Sequence, residues 1–121
     1  MTVREIAKIL DAELITGESL LDTDLAAACG ADLMSDVMAF VKDGVVLLTG
    51  LVNPQAIRTA DLMDIRVVVF VRGKHPSKDM VAEATSNGMA LLATDYTMFV
   101  ACGRLYEAGL RSSGTRAPRA S

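Results

Sequence analysis

The chain has 121 residues, 51% of them hydrophobic but only 4% aromatic, with no tryptophan and a net charge of −3, which is the length of one domain with ample material for a core. The acidic balance argues against a nucleic-acid groove, and the scarcity of aromatic rings against base stacking or aromatic-cage recognition. No apolar run reaches the roughly 18 residues of a membrane span, and the opening MTVREIAKILDAEL has no cleavable signal pattern, so the expectation is a soluble cytoplasmic protein without membrane contact.

Thr2 is placed to cap a short helix in which Val3, Ile6, Ala7, Ile9 and Leu10 form one apolar stripe, with Glu5 three residues after the cap. Glu13 to Thr16 reads as a short strand ending at Gly17. Leu20, Leu21 and the run Leu25 to Cys29 make a second apolar patch, an extended segment leading to Gly30. The next segment, through Val37 to Val41, reads as a helix capped by Asp32 or Ser35 and stopped near Gly44.

Three similar units follow: VVLLTG with a helix over 54–63, VVVFVRG with a helix over 77–87, and ALLAT with a helix over 95–108. Their strands begin near residues 45, 67 and 90, a repeat of roughly 22 residues that suits successive strand–helix units. The strands are apolar throughout instead of alternating, so helices should cover both of their faces. The fold class is therefore α/β, a small and mostly parallel sheet of repeated strand–helix units with right-handed crossovers, in one domain over residues 1–110. The last eleven residues, RSSGTRAPRAS, contain Arg111, Arg116 and Arg119 and no acid, and read as a disordered basic tail.

In such a sheet the loops after the strands meet at one edge, where ligands bind at a switch in strand order. That edge should gather Thr49, Gly50 and Asn53, then Arg72, Gly73, Lys74 and His75, then Thr94, Asp95, Tyr96 and Thr97. Thr49-Gly50 beside Asn53-Pro54 sets backbone N–H groups at a helix start, with Asn53 as cap and Pro54 at the first helical position. Arg72 and Lys74 on the next loop would complete an anion site with two positive charges; the bland alternative is a capped turn with two solvated cations. Neither a Gly-Lys-Ser/Thr phosphate loop nor a GxGxxG turn occurs.

The remaining chemistry-bearing residues are few. His75 is the one histidine; Asp95 or Asp79 would orient it if it were a base, against the commoner reading of an inert loop histidine. Asp32 and Asp36, four apart, would share one helix face and so offer carboxylates to a cation, or else serve as a cap and a first-turn acid. Asp95 or Thr94 suits the cap of the last helix, leaving Tyr96 or Thr97 to meet a ligand. Cys29 and Cys102 form no CxxC pair and with one histidine cannot make a four-ligand zinc site, so they read as reduced, mostly buried thiols. The last helix, with Met98, Phe99, Cys102, Gly103 and Tyr106, has the composition of a subunit interface.

Taken together, DLMSDVMAF, LLTGLVNPQAIRTADLMDI, VVFVRGKHP and LLATDYTMFVACGRLYEAGL resemble the DRTGG domain family in its short stand-alone form, across roughly residues 1–110. The family is named for preferred residues scattered along the chain; Thr49 and Gly50 match the Thr-Gly part, Asp36 matches the acid, Leu51 stands where the second glycine would be, and no residue matches the arginine. The resemblance implies an α/β accessory module of the kind found between the CBS domains of regulatory pyrophosphatases and inside long phosphotransacetylases, similar also to the N-terminal domain of HPr kinase. The kinase activity of that last protein belongs to another domain with a phosphate loop and does not carry over.

The expectation is thus a non-catalytic, ligand-sensing homodimer without cofactor or metal. It would bind a nucleotide or other anionic metabolite through Asp36, Thr49, Gly50, Asn53, Arg72, Lys74, Thr94 and Thr97. The alternative is an interaction subunit that docks to a redox complex of the hydrogenase type or to a phosphotransfer complex without any small ligand.

Overall fold

The computed structural model describes residues 1–40 and 44–112. Residues 113–121, most of the segment read as a basic tail, and Val41, read as the end of a helix, lie outside the described residues.

The first helix, α1 (Val3–Ile9), carries the capping box that its sequence announces: Thr2 accepts from the Glu5 amide while the Glu5 carboxylate takes the Thr2 amide. Strand β1 (Glu13–Thr16), a single 3₁₀ turn at Glu18–Leu20 and strand β2 (Ala27–Gly30) follow, then α2 (Met34–Phe40). The three repeated units come next as β3 (Val45–Thr49) with α3 (Pro54–Leu62), β4 (Val67–Phe70) with α4 (Lys78–Ser86), and β5 (Ala90–Ala93) with α5 (Met98–Glu107). A short strand, β6 (Arg111–Ser112), ends the described chain, so the first two residues of the segment read as tail pair with β2.

Among the described residues the strands form one six-stranded sheet in the order β1-β5-β4-β3-β2-β6. β2 to β6 run parallel, and β1 closes one edge antiparallel to β5. Helices α2, α3 and α4 bury Met34, Val37, Ala56, Ile57, Ala60, Met80 and Ala84 against one face, while α1 and α5 bury Val3, Ile6, Leu10, Ala101 and Leu105 against the other. The chain steps from β2 through β3 and β4 to β5 with its helices on the first face, then returns to β6 with α5 on the second. Reversing both direction and face keeps one hand for every crossover, as right-handed connection of parallel strands requires.

Every residue of β3, β4 and β5 is buried, which is why these strands are apolar at consecutive positions. The antiparallel edge strand is held partly by Gly17, which turns the chain away at φ 98° against the backbone of β5; a Cβ there would lie 2.5 Å from the Ala90 Cα. Gly17→Ala is therefore expected to destabilise the domain by about 2 kcal/mol or more, because both the left-handed backbone and the contact oppose a methyl group. Urea unfolding of the two chains checks this, and equal midpoints would contradict the tight approach of β1 to β5.

Candidate functional site

Because the strands are apolar along their length, each presents its first polar side chain where it ends: Thr49 as the last residue of β3, Arg72 just beyond β4 and Thr94 after β5. These ends lie side by side at the carboxyl edge of the sheet.

The Thr49-Gly50 junction is occupied from within the chain. Asp32, on the loop between β2 and α2, accepts a 2.6 Å hydrogen bond from the Gly50 amide and a 3.3 Å bond from the Thr49 hydroxyl, and that hydroxyl in turn accepts from the Leu51 amide at 3.0 Å. A charged acceptor makes such bonds short and strong. Asp32 is therefore neither the cap of α2 nor the partner of Asp36 on one helix face; it precedes the helix, which starts at Met34, and its carboxylate points to β3. Asp36 lies exposed within the first turn of α2, away from these contacts, so the acid that meets Thr49 and Gly50 is Asp32.

The same glycine also meets the two cations. Lys74 Nζ donates to the Gly50 carbonyl at 3.1 Å. The Arg72 guanidinium lies across the glycine so closely that a Cβ at position 50 would stand 3.1 Å from Nη2 and 3.4 Å from the Asp32 carboxylate. A Cβ here would press on the ends of these two exposed side chains, while the backbone itself is not left-handed. Arg72 itself has φ 62° and Gly73 φ 68°, and the Lys74 amide donates back to the Val71 carbonyl, so a tight turn folds the basic loop over the end of β3. Both cations are exposed, and among the described residues neither joins an ion pair.

The outgoing loops of β4 and β5 lead to opposite faces of the sheet, so the switch in strand order falls between them. That gap is bridged by backbone bonds, from the Arg72 amide to the Tyr96 carbonyl at 2.8 Å and from the Gly73 amide to the Thr94 carbonyl at 2.9 Å. The exposed cations of the crest, Arg72 and Lys74, therefore gather on its β3–β4 side, at Gly50. Asn53 caps α3 by accepting from the Gln55 and Ala56 amides, as its place before Pro54 suggests. Thr97, and not Asp95 or Thr94, caps α5, accepting from the Val100 amide. Thr94 is 2% exposed, and its hydroxyl donates to the Leu10 carbonyl at 2.6 Å, tying α1 to β5. Of the eight residues read as a site, Thr49, Gly50, Arg72 and Lys74 converge; Asn53 and Thr97 serve helix starts, Thr94 is internal, and Asp36 stands apart.

His75 faces neither Asp95 nor Asp79; its Nε2 lies 3.2 Å from a Glu13 carboxylate oxygen, with both side chains exposed. Among the described residues no three His, Cys, Asp or Glu side chains gather as metal ligands, and no helix is long and apolar enough to cross a membrane.

The sequence profile of the DRTGG domain matches residues 5–108. The chain belongs to the DRTGG domain family. In three dimensions this DRTGG domain is similar to the CBS and DRTGG domains of the regulatory region of Clostridium perfringens pyrophosphatase, solved in complex with the activator diadenosine tetraphosphate. The TM-score is 0.69 at 16% sequence identity, over 86% of this chain and 45% of that one, so the present chain spans less than half of its neighbour and shares its fold. No curated protein matches the chain.

The cysteines of this DRTGG domain are half-buried, not mostly buried, and free. Burial pushes both thiols above their ordinary value, and for Cys29 the nearby Cys102 and Asp36 add to the rise, so both are protonated at neutral pH. Cys102 packs where α5 crosses the end of β2; a Cβ on Gly30 would lie 2.6 Å from its sulfur.

The contact that sequence reasoning missed is the Asp32 carboxylate. Its position two residues after Gly30, at the end of a parallel strand, is the available signal, since every such loop opens onto the same edge. For Thr94 the placement predicts a structural effect. Thr94→Val leaves the buried Leu10 carbonyl without its partner and should lower the unfolding free energy by about 1–3 kcal/mol, measured by urea unfolding, whereas an unchanged midpoint would contradict the tie between α1 and β5.

Proposed function

We propose that this DRTGG domain is a non-catalytic regulatory module of the cytoplasm that senses an anionic small molecule, with nucleotides the leading class, at the carboxyl edge of its sheet. The reading is carried by one observation: an acidic chain folds two of its cations, Arg72 and Lys74, from one tight turn onto the Gly50 peptide just past the end of β3. Cations held beside a backbone N–H at the carboxyl edge of the sheet attract phosphate by charge and by hydrogen bonding. A left-handed arginine costs about 1 kcal/mol in backbone energy, and the side chain so displayed is the one that reaches Gly50. The regulatory and nucleotide parts of the reading are supported by the related pyrophosphatase, whose DRTGG domain belongs to a regulatory region solved with a dinucleotide activator.

A second reading, docking through α5, has its own observation. Phe99 is 87% exposed and Tyr106 60%, and with Met98, Cys102 and Gly103 they line an open apolar depression on the outer face of that helix. Such a face suits a homodimer or a redox or phosphotransfer partner.

A thermal-shift screen of nucleotides and phosphorylated metabolites tests the first reading, repeated on Arg72→Gly and Lys74→Ala. Glycine at 72 suits the left-handed backbone, so this variant removes the charge without straining the turn. A ligand at one hundred times its dissociation constant adds about 2.7 kcal/mol, a shift of about 10 °C for a domain of this size. The expected result is a shift that both substitutions abolish. Stabilisation unaffected by either, or none with any compound, would contradict an anion site at Gly50 and favour docking through α5.

A further inference from the structure

The junction that a bound anion would use is filled by a carboxylate of the chain itself. Asp32 Oδ1 accepts from the Gly50 amide at 2.6 Å and from the Thr49 hydroxyl at 3.3 Å, the same two donors that an anionic oxygen entering between Arg72 and Lys74 would meet. The carboxylate and the guanidinium share the space over the Gly50 α-carbon: each lies within 3.5 Å of the position a Gly50 Cβ would take, yet they are not within ion-pair distance of each other. A second negative charge cannot share the Gly50 amide with Asp32 without direct repulsion. Asp32 is exposed and stands on a loop, with Met34 opening α2 two residues later, so it is free to swing out.

We infer that Asp32 is an internal competitor for the Gly50 amide, an autoinhibitory contact that an anionic ligand displaces when it binds between Arg72 and Lys74. The inference rests on the ligand-sensing reading above and deepens it. In the free domain the carboxylate satisfies the Gly50 amide and the Thr49 hydroxyl. Binding exchanges one anion for another at these donors and gains the two cations, while the released Asp32 frees the loop that leads into α2. Affinity is therefore set below what Arg72, Lys74 and the amide would give alone, because breaking a charge-assisted bond opposes every binding event. The same exchange links occupancy of the crest to the start of α2, where Leu33, just before the helix, and Met38 within it are exposed.

The test is calorimetric titration of the full chain with inorganic pyrophosphate and with ATP, comparing wild type, Asp32→Asn, Asp32→Ala and the double variant Asp32→Ala/Arg72→Gly. Asparagine keeps an acceptor of the same shape without the charge, so it reports on competition even if alanine impairs folding, which circular dichroism checks. The expected result is binding about tenfold tighter in the Asp32 variants than in wild type, the scale of one hydrogen bond to a charged group, and lost in the double variant. Detectable binding by the Asp32 variants alone would equally support displacement. Wild-type binding that both Asp32 substitutions leave unchanged or weaken would overturn the competition and leave the ligand-sensing reading standing. Absence of binding by wild type and by every variant would overturn both.

Discussion

Strands β3, β4 and β5 are buried on both faces, and this constraint organises the rest of the molecule. A parallel strand with helices above and below has no room for a polar side chain until it ends. The polar residues of the repeated units are therefore expelled to the rims, and those at the carboxyl rim meet because the three strands end in register. The crest is a by-product of core packing before it is a site. Its geometry is only as well fixed as the helices that cover the sheet.

At that rim one peptide takes most of the local polar chemistry. The Gly50 amide donates to Asp32, its carbonyl accepts from Lys74, and its bare α-carbon admits the Arg72 guanidinium. Three loops, following β2, β3 and β4, are thus joined through a residue with no side chain. Opposite charges flank the glycine without pairing, so the local field is poised between holding the internal carboxylate and accepting an external anion. The adjacent gap between β4 and β5, where the strand order would lead one to look for a ligand, is spent on backbone bonds between the two loops.

Much of the fold was legible in the sequence because it is encoded locally. The roughly 22-residue repeat, the unbroken apolar strands and the caps at Thr2 and Asn53 all act over a few residues, and the structure carries each of them. What was not legible is long-range. Glu13 to Thr16 has the pattern of a strand, but that it runs antiparallel to β5 depends on the close pass of Gly17 to Ala90. The return of the chain to place β6 beside β2 depends on α5 covering the second face. Asp32 looked like a helix cap because its bonds to Thr49 and Gly50 span 17 and 18 residues of sequence. Thr94 looked like a crest residue because nothing near it in the sequence shows that Leu10 lies above it.

The most direct measurement is the amide resonance of Gly50 in a nitrogen-15 labelled chain during titration with ATP and with pyrophosphate. Gly50 should shift early and saturably together with Arg72, Lys74 and Asp32, since all four share one peptide-centred set of contacts. Resonances that move only on α5, around Phe99 and Tyr106, or an unmoved Gly50 at saturating anion, would contradict an anion site at Gly50.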